Sequence, residues 1–152
     1  MNKIEFAAQM GELLKLIRAE YALNQDEMAA VLGISKKTLL ETEKGRRALG
    51  WTEAVAMAAL FSGSQVLQNA FGGETDDILQ AIAFQNLDIR YPKTMGGKVW
   101  WRTVEEQSAF RIQQNIISHH YRLLNGQDQR IFSSFIEADV RERMQEELQR
   151  EL

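Results

Sequence analysis

Five basic residues crowd into a short window of the chain, Lys36, Lys37, Lys44, Arg46 and Arg47, opposed only by Glu41 and Glu43, a local charge of +3. Ammonium and guanidinium groups at this density suit the oxygens of a phosphate polymer, and a lysine or arginine can also donate to guanine O6 and N7. Ser35, just before the first lysines, is a good helix N-cap. It makes Lys36 and Lys37 the first turn of a helix. Thr38 and Glu41 then share their exposed face, and a glutamate there accepts from a cytosine amino group or restrains a neighbouring lysine. Gln25, ten residues upstream, begins another helix, where its amide and the free backbone N–H groups can hold a phosphate oxygen. Arg46 and Arg47, beyond Gly45, are placed for the backbone of the same polymer.

Other constellations carry less chemistry. His119-His120 lacks a third ligand, and neighbours on a strand face opposite ways, so no metal is expected. Cysteine is absent, which removes disulfides, thiolate zinc sites and thiol nucleophiles and fits a reducing compartment. Glu105-Glu106 has no visible acid–base partner. Of Trp100-Trp101, one ring is expected in a core and the other exposed as a partner or ligand contact. With no nucleophile, metal set or phosphate loop, an enzyme is the weakest reading, and no cofactor is implied.

The elements that must position the basic window are short helices with clear punctuation. Asn2 with Glu5, and Asn24 with Glu27, have capping-box spacing. Met10, Leu13, Leu14, Ile17 and Tyr21 recur at the period of a helix burying one face. A helix over Gln25–Leu32 buries Met28, Ala29 and Leu32 and stops at Gly33, suited to a left-handed C′ position. The next, from Lys36 to about Lys44, turns Leu39 and Thr42 inward and stops at Gly45. A fourth helix spans Thr52–Ser62, preceded by Trp51, which is expected to be a core or dimer residue or a staple to Ala56. Ser64 caps a fifth over Gln65–Phe71, and Gly72-Gly73 closes the unit. Helices of eight residues do not stand alone, because nucleation is costly; they must pack on the first.

The stretch LNQDEMAAVLGISKKTLLETEKGRRAL (Leu23–Leu49) resembles the helix-turn-helix of the lambdoid phage repressor and Cro proteins, the XRE family. The fit rests on Gln25, Ala29, Gly33, Ser35, Thr38, Glu43 and Gly45 and covers about residues 9–72. The resemblance implies that the second short helix enters the major groove of double-stranded DNA. It also implies an ion pair between Arg18 and Glu43 that orients this helix against the first. Two departures stand out. Leu40 occupies a usually polar place, where it could meet a thymine methyl or a partner. Leu49-Gly50 replaces the proline after the turn.

Beyond Gly73 the pattern changes. Thr75, Asp76 and Asp77 open a sixth helix over 75–87, favoured by acids at its N-terminus. Tyr91-Pro92 and Gly96-Gly97 follow, then a sheet over about 98–135 with VWWRTV as one strand. A hairpin is expected with arms Ser118–Leu124 and Arg130–Phe135, turned at Asn125-Gly126. Residues 104–118 read as strand or helix. A helix over 137–151 carries the stripe Ile136, Val140, Met144, Leu148 and Leu152. The expected fold is mainly α: a five-helix helix-turn-helix domain over 1–73 and a small C-terminal α+β module over 74–152. Residues 1–73 are neutral and 74–152 carry the whole net charge of −3, so any DNA-binding face depends on local charge. No signal peptide or membrane span is read, and a cytoplasmic location is expected. The function implied is a transcriptional regulator, chiefly a repressor, acting as a homodimer, with a protein partner or small effector at the C-terminal module. The alternative is an antitoxin-like interaction protein that autoregulates through its helix-turn-helix.

Overall fold

A computed structural model describes residues 1–90 and 99–152. It divides into two compact units, Met1–Tyr91 and Pro92–Leu152. The Tyr91-Pro92 and Gly96-Gly97 breaks and the first residue of the expected sheet lie outside the described residues.

The first unit holds α1 (Lys3–Glu20), α2 (Gln25–Leu32), α3 (Lys36–Glu43), α4 (Trp51–Leu60), α5 (Gln65–Phe71) and α6 (Asp76–Ala83). Both capping boxes form: Asn2 and Asn24 accept from the backbone N–H of Glu5 and Glu27, whose carboxylates accept in return. One face of α1, through Phe6, Met10, Leu14 and Ile17, is fully buried against Met28, Leu39, Met57 and Leu67. Burial of that face holds the short helices, since each is below the length that is stable alone.

Several expectations are corrected here. Helix α4 starts at Trp51 rather than Thr52, and the Trp51 indole packs on the core as one of the expected readings has it, meeting Phe6 edge-on at 5.7 Å. Tyr21 is not on the buried stripe: it caps α1 and lays its ring edge-on to Phe61 at 4.8 Å. Helix α6 ends at Ala83, four residues early, and Asn86 takes a left-handed conformation (φ 65°). It is also no connector. Ile82 is 4% exposed in the same core, with Ile78 and Leu79 packed against it, so the first unit extends past Gly73 and contains six helices.

An unforeseen contact joins α1 to α5. Glu20 accepts from the Ser64 hydroxyl (2.5 Å) and the Gln65 backbone N–H (2.7 Å). Its charge thus sits at the positive end of α5, while Ser64 itself caps Leu67. Glu20→Gln is expected to lower the stability of this unit by about 1 kcal/mol, read as a shift of the urea midpoint with an unchanged slope.

The second unit is a four-stranded antiparallel sheet in the order β1-β2-β3-β4, with β1 (Trp101–Gln107), β2 (Phe110–Asn115), β3 (Tyr121–Leu124) and β4 (Arg130–Ser134), followed by α7 (Glu137–Arg150). The open choice over 104–118 resolves as strand through Asn115, followed by a turn: β1 and β2 meet at a tight turn with Ser108 at φ 57°. Alternation sends Phe110, Ile112 and Leu123 to one face, where Val140 and Met144 of α7 bury them. Two bulges, at Val104 and Ile131, let each of these residues pack toward α7 beside the next residue in its strand. Glu105, turned the same way, pairs with Arg141.

The β3–β4 connection departs from a two-residue Asn-Gly turn. Asn125 accepts from the backbone N–H of Gln127 and Gln129 with its side chain, and Asp128 takes the positive φ (60°). Gly126 lies close to the β1–β2 turn: a Cβ there would meet that of Ala109 at 3.1 Å, so a larger residue needs Ala109 to shift by a few tenths of an ångström. His119 and His120 precede β3 rather than lying within it. His119 has φ 63°, and His120 stacks edge-on to Trp101 at 5.0 Å. Trp101 is half-buried and Trp100 exposed.

Candidate nucleic-acid interface

Helices α2 and α3 meet through a three-residue turn whose geometry follows from its residues. Gly33 is left-handed (φ 70°), which lets the N–H groups of Gly33 and Ile34 close on the carbonyls of Ala30 and Ala29. Ile34 packs against the core. Ser35 accepts from the Thr38 N–H at 3.0 Å and donates to the Thr38 hydroxyl at 2.8 Å, starting α3 cleanly. Leu39 and Thr42 are buried beneath, and the Thr42 hydroxyl donates back to the Thr38 carbonyl. The arrangement is a helix-turn-helix with α3 presenting its other side to solvent.

That exposed side is more cationic than the sequence suggests. Of the two acids in α3, Glu43 is turned inward, its side chain only 5% exposed. Arg18 donates to it through Nε (2.6 Å) and Nη2 (3.5 Å), and Gln25 donates through Nε2 (3.2 Å). Arg18 Nη1 also reaches the Leu23 carbonyl at 3.1 Å, holding the α1–α2 connection. One carboxylate therefore ties three helices together, and its charge is neutralised away from the surface. Gln25 spends one amide hydrogen on Glu43 and keeps the other.

The remaining charges divide by partner. Lys37 and Lys44 are exposed. Lys36, also exposed, lies 3.3 Å from Asp26. Glu41 is 3.9 Å from Arg46, which leaves that arginine 67% exposed. Arg47, expected beside Arg46 on the polymer backbone, is held by Glu53 of α4 in a two-pronged pair at 2.7 and 3.1 Å. Glu53 in turn accepts from the Gly50 N–H at 3.2 Å, closing the start of α4. Leu40 is half-buried. Asp26 and Glu53 were not singled out from sequence. Glu53 had a signal, as an acid three residues after the Gly50 cap; Asp26 had none, because its role arises only when α2 and α3 cross.

The Arg47 guanidinium beside Glu53 holds that carboxyl below its ordinary range. A depressed folded-state pKa stabilises above the ordinary glutamate value and is lost as pH falls through the folded one. Glu53→Gln is expected to flatten the acid limb of the stability–pH curve while changing stability less near pH 3 than near pH 7, checked by urea unfolding across that range.

No protein-family profile and no solved structure matches this chain. It is 31% identical over 84 residues, 55% of its length and 24% of the relative's, to a Thermococcus kodakarensis protein named as an HTH-type transcriptional regulatory protein. A Thermococcus gammatolerans protein of the same name is 39% identical over 51 residues, 34% of this chain and 16% of the relative. The chain thus spans a quarter or less of the curated relatives it matches. Among the described residues no helix is long and apolar enough to cross a membrane.

Proposed function

We propose that this chain is a sequence-specific DNA-binding transcription regulator, of the repressor kind, that inserts α3 into the major groove. The observation that carries the reading is the helix-turn-helix whose α3 and its C-cap expose Lys36, Lys37 and Lys44 while Glu43 is turned inward onto Arg18. In this reading Lys37, Thr38, Leu40 and Glu41 face base edges. Lys36 and Lys44 serve phosphates or bases, and Arg46, Gln25 and the first backbone N–H groups of α2 hold phosphate oxygens. Arg47 contributes through the fold. Such proteins bind as two-fold dimers on half-sites a helical turn apart; the second unit is the proposed dimerisation and regulatory module. The names of the two Thermococcus relatives support the same class.

Selection of bound sequences from random duplex DNA tests this directly. The expected result is a recurring, two-fold related half-site whose enrichment disappears with Lys37→Ala. Enrichment of no sequence, or a motif indifferent to that substitution, would overturn the reading.

A further inference from the structure

The face of the sheet turned away from α7 carries an arrangement that the helix-turn-helix does not use. Along β2, β3 and β4, Arg111 and Arg130 both lie in register with Leu124, and Arg122 is two residues back along β3 on the same face. Three guanidinium groups thus share neighbouring strands. Arg122 is fixed in two ways. Its guanidinium lies 3.8 Å from the centroid of the Trp101 ring, and its Nε and Nη2 both donate to Gln113 Oε1 (3.0 and 2.8 Å). Gln113 is itself buried and in register with Arg122.

The charge on this face is only partly answered. Arg111 pairs with Asp128 and lies in register with Glu106. Arg122 is bonded to a neutral amide, and Arg130 is exposed. Burial and the charges of Arg111 and Arg130 push the Arg122 pKa down, with no carboxylate offsetting them. Like charges placed together on a sheet cost stability, a cost that a bound anion would relieve. The carboxylates of α7 lie on a different element, packed against the opposite face: the helix carries Glu137, Asp139, Glu142, Glu146 and Glu147. The arginines form a triangle over three strands, Arg111 and Arg130 flanking Leu124 and Arg122 set two residues along β3, a spread that suits successive phosphates of a chain better than a single small anion. A guanidinium held over an indole and bonded to an amide is pre-organised for such contacts, losing little freedom on binding.

We infer that the open face of this sheet, through Arg111, Arg122 and Arg130, is a second nucleic-acid contact that grips the phosphodiester backbone of duplex DNA without reading its sequence. The inference rests on the DNA-binding reading above for the identity of the polyanion. Its signature is salt dependence, because each phosphate neutralised steepens the fall of affinity with salt by about 0.9 in the logarithmic slope.

The test uses the full chain and a 20-base-pair duplex of arbitrary sequence, titrated at several salt concentrations. Arg130→Gln, which changes an exposed side chain with no hydrogen bond or ion pair among the described residues, is expected to reduce the slope by about 1. The triple variant R111Q/R122Q/R130Q is expected to reduce it by about 2–3 and to weaken low-salt binding about tenfold or more. The triple lysine replacement should keep most of the slope. Unchanged slopes in Arg130→Gln and in a folded triple variant would overturn the inference, as would poly-glutamate competing as well as DNA, which would point to an acidic protein partner. Lys37→Ala separates the two readings. If it leaves affinity for the selected operator intact while the arginine variants abolish binding to every duplex, the groove assignment fails and this one stands; if it lowers operator affinity while the arginine variants change nothing on any duplex, this one alone fails.

Discussion

Glu43→Ala is expected to destabilise the first unit by about 3 kcal/mol, a fall in melting temperature on the order of 10–20 °C. The carboxylate is 5% exposed and satisfies Arg18 twice and Gln25 once. Removing it leaves the Arg18 guanidinium, 17% exposed, without its anion in a place that water reaches poorly. The cost is that of an orphaned charge and does not measure the worth of the pair. The distinction has its own consequence: R18M/E43L, which removes both charges and fills the space with apolar atoms, should recover most of the lost stability. It should not recover DNA binding, because nothing then holds the Gln25 amide or fixes α3 against α1. Thermal unfolding and duplex titration on the same two variants separate these effects. If the double variant is as unstable as Glu43→Ala, the pair stabilises on its own account and the orienting role loses its basis.

How much of this was readable in advance depended on how local the signal was. The capping boxes at Asn2 and Asn24, the left-handed Gly33 and the Ser35 cap need only a few neighbouring residues, and all are present as expected. The Arg18–Glu43 contact was legible only through resemblance, since the two residues stand 25 positions apart and no local spacing rule joins them. Arg47 shows the limit of charge reading. Its neighbour Arg46 is exposed and Arg47 is tied to Glu53, yet composition and spacing treat them alike. The unit boundary was misplaced because Gly72-Gly73 looks like a break, whereas the apolar side of α6, through Ile82, is what decides where that helix packs. In the second unit, the residues over 104–118 carried no period that separates strand from helix. The bulges at Val104 and Ile131 were invisible, because a single bulge reverses the alternation that sequence reading relies on. Arg111 and Arg122 share a face by plain alternation, but only the Ile131 bulge turns Arg130 to that face, so the full cluster had no sequence signature.

Lys37→Ala is expected to weaken binding to the selected operator about 10- to 100-fold, the range for loss of one good base contact, with no change in unfolding because the side chain is exposed. Lys36→Ala should do less. Its ammonium already lies 3.3 Å from Asp26, so DNA must compete with a carboxylate for it. This makes Asp26→Asn informative: removing a negative charge from the DNA-facing side and freeing Lys36 is expected to tighten binding several-fold and to steepen its salt dependence by about 1. The pattern across sequences then assigns each lysine. A lysine on a base edge loses affinity for the operator alone when replaced, whereas one on a phosphate loses affinity for every duplex and lowers the salt slope by about 1. Lys37 belongs to the first class if the first turn of α3 enters the groove, and Lys44, at the far end of the helix, to the second. Equal losses for Lys36→Ala and Lys37→Ala on both operator and random DNA would mean that α3 lies along the backbone, and that sequence is read elsewhere.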